Sequence, residues 1–415
     1  LRVHSDPGLY MYGPNRGGMW NFGDGELAVA YLVGPVDYEA PLAPLRTGRH
    51  AYPITERGAK AGGVLLSRSF DYGRTWPDSE RTWIWHNDRT LEEILDWLRP
   101  VAPEEREQID LTDPDAIIHF CHGEYLQFPF GGRLLNASPG EPGINFHLGR
   151  REHPPSFSLR SRDRGRTWEH HATLIEGPAW APDGGLLCVN LGHVQFDNGV
   201  LGIVGSTNHR NTVCFYVSYD HGLSWQYVSE VANARRAPDH TYGYSYVGVH
   251  RLPDDRLMCV MHQLPEGWPH VAFSEDDGMS WSAPRAIVSP GTYGLPLTGP
   301  LPDRAPGDRT GPRYRSPRGL VLRDGRIVVL FARREYPARG GRGILGVVSD
   351  DLGETWSEEF VVRGDAYTWD LGYEVLTELP DGRLFTAYWI TSRDGEPVPE
   401  PACVRYIAGS FFRLE

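Results

Sequence analysis

One short phrase recurs five times along the chain and restricts the possible folds more than any other feature. It reads Ser-x-Asp-x-Gly-x-Thr/Ser-Trp and begins at Ser69, Ser161, Ser218, Ser274 and Ser349. The aspartate can accept hydrogen bonds from the amides that follow it, and the glycine supplies a backbone conformation that other residues resist. Each copy therefore predicts a self-contained turn after a strand, and the repetition indicates a repeat architecture.

A second pattern precedes each phrase and consists of two apolar strands around a tight turn. Examples are VQFDNGVLGIVGS and LTELPDGRLFTAY, and six such hairpins can be counted, the second being LQFPFGGRLLNAS with its turn at Gly132. Two hairpins make a four-stranded blade, so the sequence predicts an all-β, six-bladed β-propeller occupying residues 1–415 as one domain. The segment LYMYG, from Leu9, is expected to join the last blade and close the ring. A β-sandwich is the alternative, but it does not explain a repeated two-hairpin unit.

One segment departs from this pattern and predicts a helix. Thr90 and Glu93 have the spacing of a capping box, apolar residues follow at helical intervals, and Pro100 ends the run. We expect a helical insertion between the first two blades, from about Trp83 to Asp115. It either packs on the rim of the propeller or covers a substrate.

Composition excludes several classes of function. The net charge of −13 argues against a nucleic-acid partner, and the chain contains no apolar run long enough for a transmembrane helix. Five widely spaced cysteines predict buried free thiols, which, with no visible signal peptide, favours a cytoplasmic location over secretion. No cofactor is expected, and no metal site is predicted because His119, His122 and His193 lack tight ligand spacing.

Polar residues recur where the innermost strand of each blade should begin, near the propeller axis. Counting nine residues back from the turn glycine of each hairpin, or from Asp255 in its place, gives these positions in blade order: Arg16, position 123 between His122 and Glu124, Asn190, Tyr246, Ser316 beside Arg315, and Tyr373 beside Glu374. Such residues are unusual for a core. They predict a polar pocket at one end of the ring.

The repeated phrase resembles the Asp box of the sialidase (neuraminidase) superfamily, and the resemblance covers nearly the whole chain. It implies a six-bladed propeller with its active site on the axis. The segment GYEVLTELPDGRLFTAYW looks like the family segment that contains the nucleophilic tyrosine, which falls on Tyr373. A neutral phenol avoids the repulsion that a carboxylate nucleophile would meet at the carboxylate of a sialic acid.

The resemblance also implies three arginines that hold the substrate carboxylate. Arg16 looks like the first and Arg342 like the third. The second falls on His262, and the glutamate that activates the tyrosine falls near Tyr246, so the chain departs from the family at both positions. Arg315 or Arg313 can restore the missing positive charge.

Those departures leave the acid and base open. Glu124 or Glu374 can activate the tyrosine, and His262 or His122 can act as acid or base near neutral pH. The acid/base aspartate of the family lies before the first Asp box, where Glu56 and Asp37 are the candidates in this chain. His122, Asn190, Tyr246 and Glu374 would line the substrate pocket.

The resemblance and these residues together predict an exo-acting glycoside hydrolase. Its carbohydrate partner would end in an acidic sugar, either sialic-acid-like or part of a uronic-acid-containing glycan. Three alternatives stay open: a hydrolase for a neutral or deoxy sugar with histidine-centred catalysis, a polysaccharide lyase that uses a tyrosine and a histidine, and a non-catalytic carbohydrate-binding propeller.

Overall fold

The computed structural model of the protein describes fourteen segments of the chain, which are residues 1–14, 18–35, 62–86, 89–121, 156–180, 187–189, 192–207, 212–233, 243–264, 268–288, 311–336, 343–366, 371–390 and 405–415. Their strands form six separate sheets of antiparallel neighbours. The predicted all-β, six-bladed β-propeller is therefore confirmed, and each sheet is one blade.

The strands are numbered in chain order, and most blades use consecutive strands. Blade one contains β2 (Leu9–Tyr12), β3 (Gly18–Asn21), β4 (Leu27–Pro35), β5 (Gly63–Ser69) and β6 (Thr82–His86). Blade two contains β7 (Ile117–Cys121), β8 (Ser156–Ser161) and β9 (Thr173–Ile175). Blade three contains β10 (Leu187–Val189), β11 (Val194–Gln195), β12 (Leu201–Thr207), β13 (Val213–Ser218) and β14 (Gln226–Ala232).

The remaining three blades each have four strands among the described residues. Blade four contains β15 (Gly243–Arg251), β16 (Leu257–Leu264), β17 (Pro269–Ser274) and β18 (Arg285–Ala286). Blade five contains β19 (Gly311–Val321), β20 (Ile327–Tyr336), β21 (Gly343–Ser349) and β22 (Phe360–Arg363). Blade six contains β23 (Gly372–Glu378), β24 (Leu384–Ile390), β25 (Tyr406–Phe412) and, from the start of the chain, β1 (Arg2–His4).

The ring closes through β1, and the predicted closing segment is wrong. Arg2 of β1 pairs with Ala408 of β25, whereas Leu9 of the LYMYG segment pairs with Pro35 of β4 in blade one. A further link joins blade one to blade six: the side-chain amide of Asn21 in blade one donates to Thr377 Oγ1 in blade six at 3.1 Å. Because β1 and β25 belong to the same sheet, backbone hydrogen bonds close the ring, and closure does not depend on side chains alone.

The five Asp boxes have one geometry. In the first, Ser69 Oγ donates to Asp71 Oδ1 at 2.8 Å and accepts from the Gly73 amide at 2.8 Å, and Asp71 Oδ2 accepts from Thr75 Oγ1 at 2.7 Å. Tyr72 and Gly73 both have positive φ, 57° and 86°, as do the matching pairs in the other four boxes. The box is therefore a turn with two left-handed residues, which suits the twist of a hairpin.

Blade two is displaced along the sequence from the predicted hairpin. In blade one the Tyr72 amide donates to the Gly25 carbonyl, and the equivalent bond in blade two runs from Arg164 to Asp115. Asp115 therefore occupies the turn position, and Ile117 pairs with Ser161 as the strand after it. The count from Gly132 was wrong for this blade, because the turn here has the sequence Asp-Pro-Asp without a glycine.

The predicted insertion contains α1 (Leu91–Trp97), and the capping box is present as expected. Thr90 Oγ1 accepts from the Glu93 amide at 3.2 Å, and Glu93 Oε2 accepts from the Thr90 amide at 2.7 Å. Short 3₁₀ turns flank it at Asp78–Glu80 and Pro103–Glu105. The expected start at Trp83 is too early, because that residue belongs to β6.

Two expectations from composition can be compared with the described residues. Cys121, Cys214 and Cys259 are buried free thiols, as predicted. None of the helices in the described segments combines the length and the apolar character needed to cross a membrane.

Candidate active site

The innermost strands of blades four, five and six carry the same irregularity. Each has one extra residue against its partner strand, a β-bulge, and these strands are neighbours around the axis. The first residue of each bulge is Tyr246, Ser316 or Tyr373, with φ of 49°, 53° and 61°. These are the three positions reached by the count of nine residues. They lie within the strands and not at the predicted strand starts, since β15 begins at Gly243, β19 at Gly311 and β23 at Gly372.

A left-handed backbone at a residue other than glycine is costly, by roughly 1–2 kcal/mol for each residue. Glycine is the usual occupant of the first position in a bulge of this kind. Here the positions hold two tyrosines and a serine. Strain of this sort persists where the surrounding structure enforces it and is concentrated at functional sites. The bulges therefore mark this end of the ring as the candidate active site.

Two tyrosine hydroxyls meet there. Tyr246 Oη and Tyr373 Oη lie 2.9 Å apart and share a hydrogen bond, and the two rings pack edge to face at 5.4 Å between centroids. Tyr373 is 5% exposed, whereas Tyr246 is partly exposed. Equivalent bulges on blades four and six position the two residues, so their contact depends on how these two blades are arranged around the axis. We refer to Tyr246 and Tyr373 as the tyrosine pair.

A histidine and an arginine continue the polar group on the side of Tyr246. His262 is fully buried, and its ring lies 5.2 Å from the Tyr246 ring. Arg315 Nη1 lies 3.5 Å from His262 Nε2, a long hydrogen bond in which the guanidinium must donate and the imidazole accept. Neutral His262 in this bond carries its proton on Nδ1. His262 occupies the position where the resemblance implies an arginine, and Arg315 brings positive charge beside it.

On the other side, Tyr373 packs against an indole that itself contacts a buried cation. The rings of Tyr373 and Trp389 are 5.8 Å apart, and the Arg405 guanidinium carbon lies 4.5 Å from the Trp389 ring. Arg405 is 3% exposed, and burial lowers its pKa well below the usual value for arginine. Sequence reasoning missed Arg405; its place at the start of β25, opposite the end of β24, was the available signal.

Glu374, the second residue of the blade-six bulge, is fully buried. Its carboxylate follows Tyr373 directly, but it is inaccessible to solvent in this conformation. Its equivalents in the other two bulges are Val247 and Pro317. The structure thus places Glu374 in the interior of the protein, and its predicted contact with substrate stays a prediction.

The structure brings together four of the predicted site residues, namely Tyr246, His262, Arg315 and Tyr373, with Glu374 adjacent. The other seven lie outside the described residues, and their roles stay predictions: Arg16, Asp37, Glu56, His122, Glu124, Asn190 and Arg342. A further residue of interest is Ser316, whose hydroxyl is buried and makes no hydrogen bond to the described parts of the chain. A buried hydroxyl without a partner at a strained position is uncommon in a native fold.

Comparison with protein families gives a match to the BNR repeat-like domain over residues 145–386, more than half of the chain. The chain belongs to the BNR repeat-like domain family. This assignment agrees with the Asp boxes and with the resemblance to the sialidase superfamily. Comparison with curated proteins finds no match.

Solved structures similar to this BNR repeat-like protein share its fold at low sequence identity. A protein of unknown function from Dyadobacter fermentans has a TM-score of 0.64 and 16% identity, covering 100% of this chain and 98% of its own. The NanB sialidase from Streptococcus pneumoniae has a TM-score of 0.57 and 13% identity, covering 100% and 70%. A Hadza microbial sialidase has a TM-score of 0.51 and 17% identity, covering 95% and 65%.

Proposed function

We propose that this BNR repeat-like protein is an exo-acting glycoside hydrolase for a carbohydrate that ends in an acidic sugar. The observation that carries the proposal is the tyrosine pair, in which the Tyr373 hydroxyl lies 2.9 Å from a second phenol on a strained bulge. A nucleophilic tyrosine needs a neighbour that can take its proton. Tyr246 is in position to do so, with His262 and Arg315 beyond it.

The proposed reaction proceeds in two steps. Tyr373 Oη attacks the anomeric carbon, the bond from that carbon to the departing oxygen breaks, and a covalent glycosyl intermediate forms, while the Tyr373 proton passes to Tyr246 in its phenolate form, whose negative charge Arg315 would stabilise. Glu56 or Asp37 would protonate the departing oxygen, and water would then cleave the intermediate with the same carboxyl acting as base. Arg16 and Arg342, with Arg315, would hold the sugar carboxylate by paired hydrogen bonds.

A polysaccharide lyase is the second candidate, and the immediate neighbours of the tyrosine pair favour it. The group combines two phenols, an imidazole and a guanidinium within a few ångströms. A lyase needs an arginine to neutralise a uronate, a base to remove the proton beside that carboxylate, and an acid for the departing oxygen. Tyr373, Tyr246 and Arg315 can meet those needs without a carboxylate catalyst.

The test is activity on defined carbohydrates. Aryl sialosides, aryl glucuronides and aryl rhamnosides report hydrolysis by release of the phenol, and uronate-containing polysaccharides report elimination by the ultraviolet absorbance of an unsaturated uronate. Hydrolysis of an acidic glycoside alone supports the proposal, and elimination supports the lyase. Activity confined to a neutral glycoside would replace the proposal with histidine-centred hydrolysis, and binding without turnover would leave a lectin.

The variant Tyr373→Phe should lower kcat by about 10²-fold or more, because it removes the attacking oxygen together with the proton transfer to Tyr246, which alone contributes roughly that much. Tyr388→Phe is the matched control: it removes a buried phenol from the same blade that is bonded to Ser410 Oγ at 2.6 Å. If both variants retained wild-type turnover, the assignment of the tyrosine pair would be wrong.

A further inference from the structure

We propose that Asp96, His170 and His171 form a binding site for one divalent transition-metal ion of the zinc class. We refer to these three residues as the Asp–His–His cluster. The three side chains each offer one ligand atom, and these atoms lie within 4.8 Å of one another. Among the described residues no other group of three or more potential ligands meets that condition. The cluster contains none of the residues proposed for carbohydrate chemistry.

The two histidines contact the aspartate from the segment that precedes β9, whereas the aspartate lies in α1. His170 Nε2 lies 3.1 Å from Asp96 Oδ2, and the rings of His170 and His171 are 4.5 Å apart and nearly perpendicular. Ligand atoms of a tetrahedral zinc site are separated by about 3.3–3.5 Å, given metal–ligand distances near 2.0–2.1 Å. The observed spacing therefore needs small side-chain rotations and no movement of the backbone.

The second contact of His171 prepares it to act as a ligand. Its Nδ1 lies 3.1 Å from the Asp96 carbonyl oxygen. A carbonyl oxygen only accepts, so Nδ1 carries the proton and the lone pair of the neutral ring is on Nε2. A bond from the second ring nitrogen to a backbone carbonyl is typical of histidines that bind metals, because it fixes the tautomer and the ring orientation.

The backbone around the two histidines is fixed by buried contacts. Glu169, the preceding residue, is buried against Arg160, and the following residue, Ala172, donates its amide to the Trp97 carbonyl at 3.0 Å. The Arg106 guanidinium donates to the His171 carbonyl. His170 is exposed and His171 is half-buried, and two adjacent side chains on a restrained backbone lose little entropy when an ion binds, which raises the affinity of the site.

The aspartate is oriented in the same manner. Arg99 Nε lies 3.3 Å from Asp96 Oδ1, which leaves Oδ2 facing His170. Hydrogen bonding to a carboxylate that binds the metal is a usual feature of metal sites. Two imidazoles and one carboxylate suit zinc and its neighbours in the transition series and are poor ligands for magnesium or calcium, which prefer oxygen. A water molecule would complete the tetrahedron.

Such an ion would bind the helical insertion to the propeller. Asp96 is in α1, whereas His170 and His171 precede β9, so the bound metal would cross-link two parts of the chain that are 74 residues apart. The expected consequence is stabilisation of the insertion, with resistance to proteolysis between blades one and two as its measurable result.

The experiment uses the full chain stripped of metal with a chelator and titrated with zinc chloride in a calorimeter. We expect one site that is weakened about tenfold or more in Asp96→Asn and in His170→Ala. The matched control is His221→Ala, which removes a histidine whose Nδ1 lies 3.5 Å from Asp110 Oδ1 but which belongs to no group of three potential ligands among the described residues. A cobalt titration followed by visible absorbance reports the coordination geometry independently.

His170 and Asp96 have side chains that are 72% and 50% exposed, so their variants should fold, which a melting curve in chelator verifies. In the wild type, zinc should raise the melting temperature and slow cleavage of the insertion, and these effects should be absent from both variants. Equal zinc binding by all four proteins, or no binding by the wild type, would overturn the proposal. Loss of binding in His221→Ala alone would also overturn it.

Discussion

The buried carboxylate of Glu169 allows a sharp prediction about stability. Its side chain is 2% exposed and lies between two guanidiniums, 2.8 Å from Arg160 Nη2 and 2.6 Å from Arg106 Nη2. The Glu169→Gln substitution keeps the size of the side chain but leaves two buried cations facing a neutral amide. Removing one partner from a buried ion pair typically costs about 3–5 kcal/mol.

Part of that loss should be moderated by other acceptors. Arg160 Nη2 also donates to the Glu107 carbonyl at 2.7 Å, and Arg106 Nη1 donates to Thr173 Oγ1 at 2.7 Å. These bonds satisfy donors without neutralising charge. We therefore expect a loss of about 3 kcal/mol in the free energy of unfolding, which is a large fraction of the roughly 5–15 kcal/mol of a typical folded protein.

The assay is equilibrium urea unfolding followed by tryptophan fluorescence, with Glu354→Gln as the matched control. Glu354 also faces two arginines, Arg256 at 3.3 Å and Arg285 at 3.0 Å, but its side chain is 53% exposed. The same chemical change there should cost no more than about 1 kcal/mol. If both variants lost the same stability, burial would not be the source of the effect and the reasoning would fail.

Three further predictions concern the backbone and the ring closure. Burial lowers the pKa of His4, which is bonded to Tyr31 Oη, from 6.5 to about 4. The unfolding free energy measured in urea should therefore fall as pH drops from 6.5 towards 4, and it should fall less in His4→Gln; an equal fall in both proteins would contradict the role of His4. Gly278→Ala would place a methyl group 2.3 Å from the Phe215 ring at a φ of +87°, so thermal melting should show a loss of about 2–5 kcal/mol in the free energy of unfolding. The control is Gly23→Ala, at a φ of +82° with open space around it, which should lose about 1–2 kcal/mol. Equal losses in the two variants would contradict the clash with Phe215. Ser316→Gly relieves a φ of 53° and should raise the unfolding free energy by about 1 kcal/mol in urea, more than Ser316→Ala, which keeps the strain.

Local chemistry was sufficient to predict most of the architecture. The Asp box contains most donors and acceptors of its own turn, as the bonds among Ser69, Asp71 and Thr75 show, so its structure can be predicted from its own sequence. The same holds for the capping box at Thr90. Both motifs retain one geometry because nothing distant is needed to complete them.

The errors occurred where a decision depended on distant partners. LYMY and RVH are both short segments that can form strands, and only the ring decides that β1 pairs with β25 while β2 stays with β4. In blade two, Gly-Gly at position 132 is the stronger turn signal by composition, yet the hydrogen bond from Arg164 to Asp115 identifies the turn that the blade uses.

The candidate site was also predicted only in part, because some of its features depend on distant residues. Counting from the turns located Tyr246, Ser316 and Tyr373 because the distance from the bulge to the turn is the same in blades four to six, although the strands differ in length. The contact between the tyrosine hydroxyls could not be predicted, because it depends on the distance between blades four and six and on the left-handed backbone at both residues. Arg405 was missed because its pairing with Trp389 depends on the register between β24 and β25.

The bulges on blades four, five and six also determine which side chains each inner strand can present. Side chains alternate between the two faces of a strand, and one extra residue shifts that alternation for everything on one side of it. Deleting a single residue from the Tyr373–Glu374 step, opposite Tyr388, would restore an even count and change which side chain follows Gly372 on each face of β23. One deletion would thus turn the inner strand of blade six into an ordinary strand, and such a variant should retain the propeller and lose the contact between the two tyrosine hydroxyls.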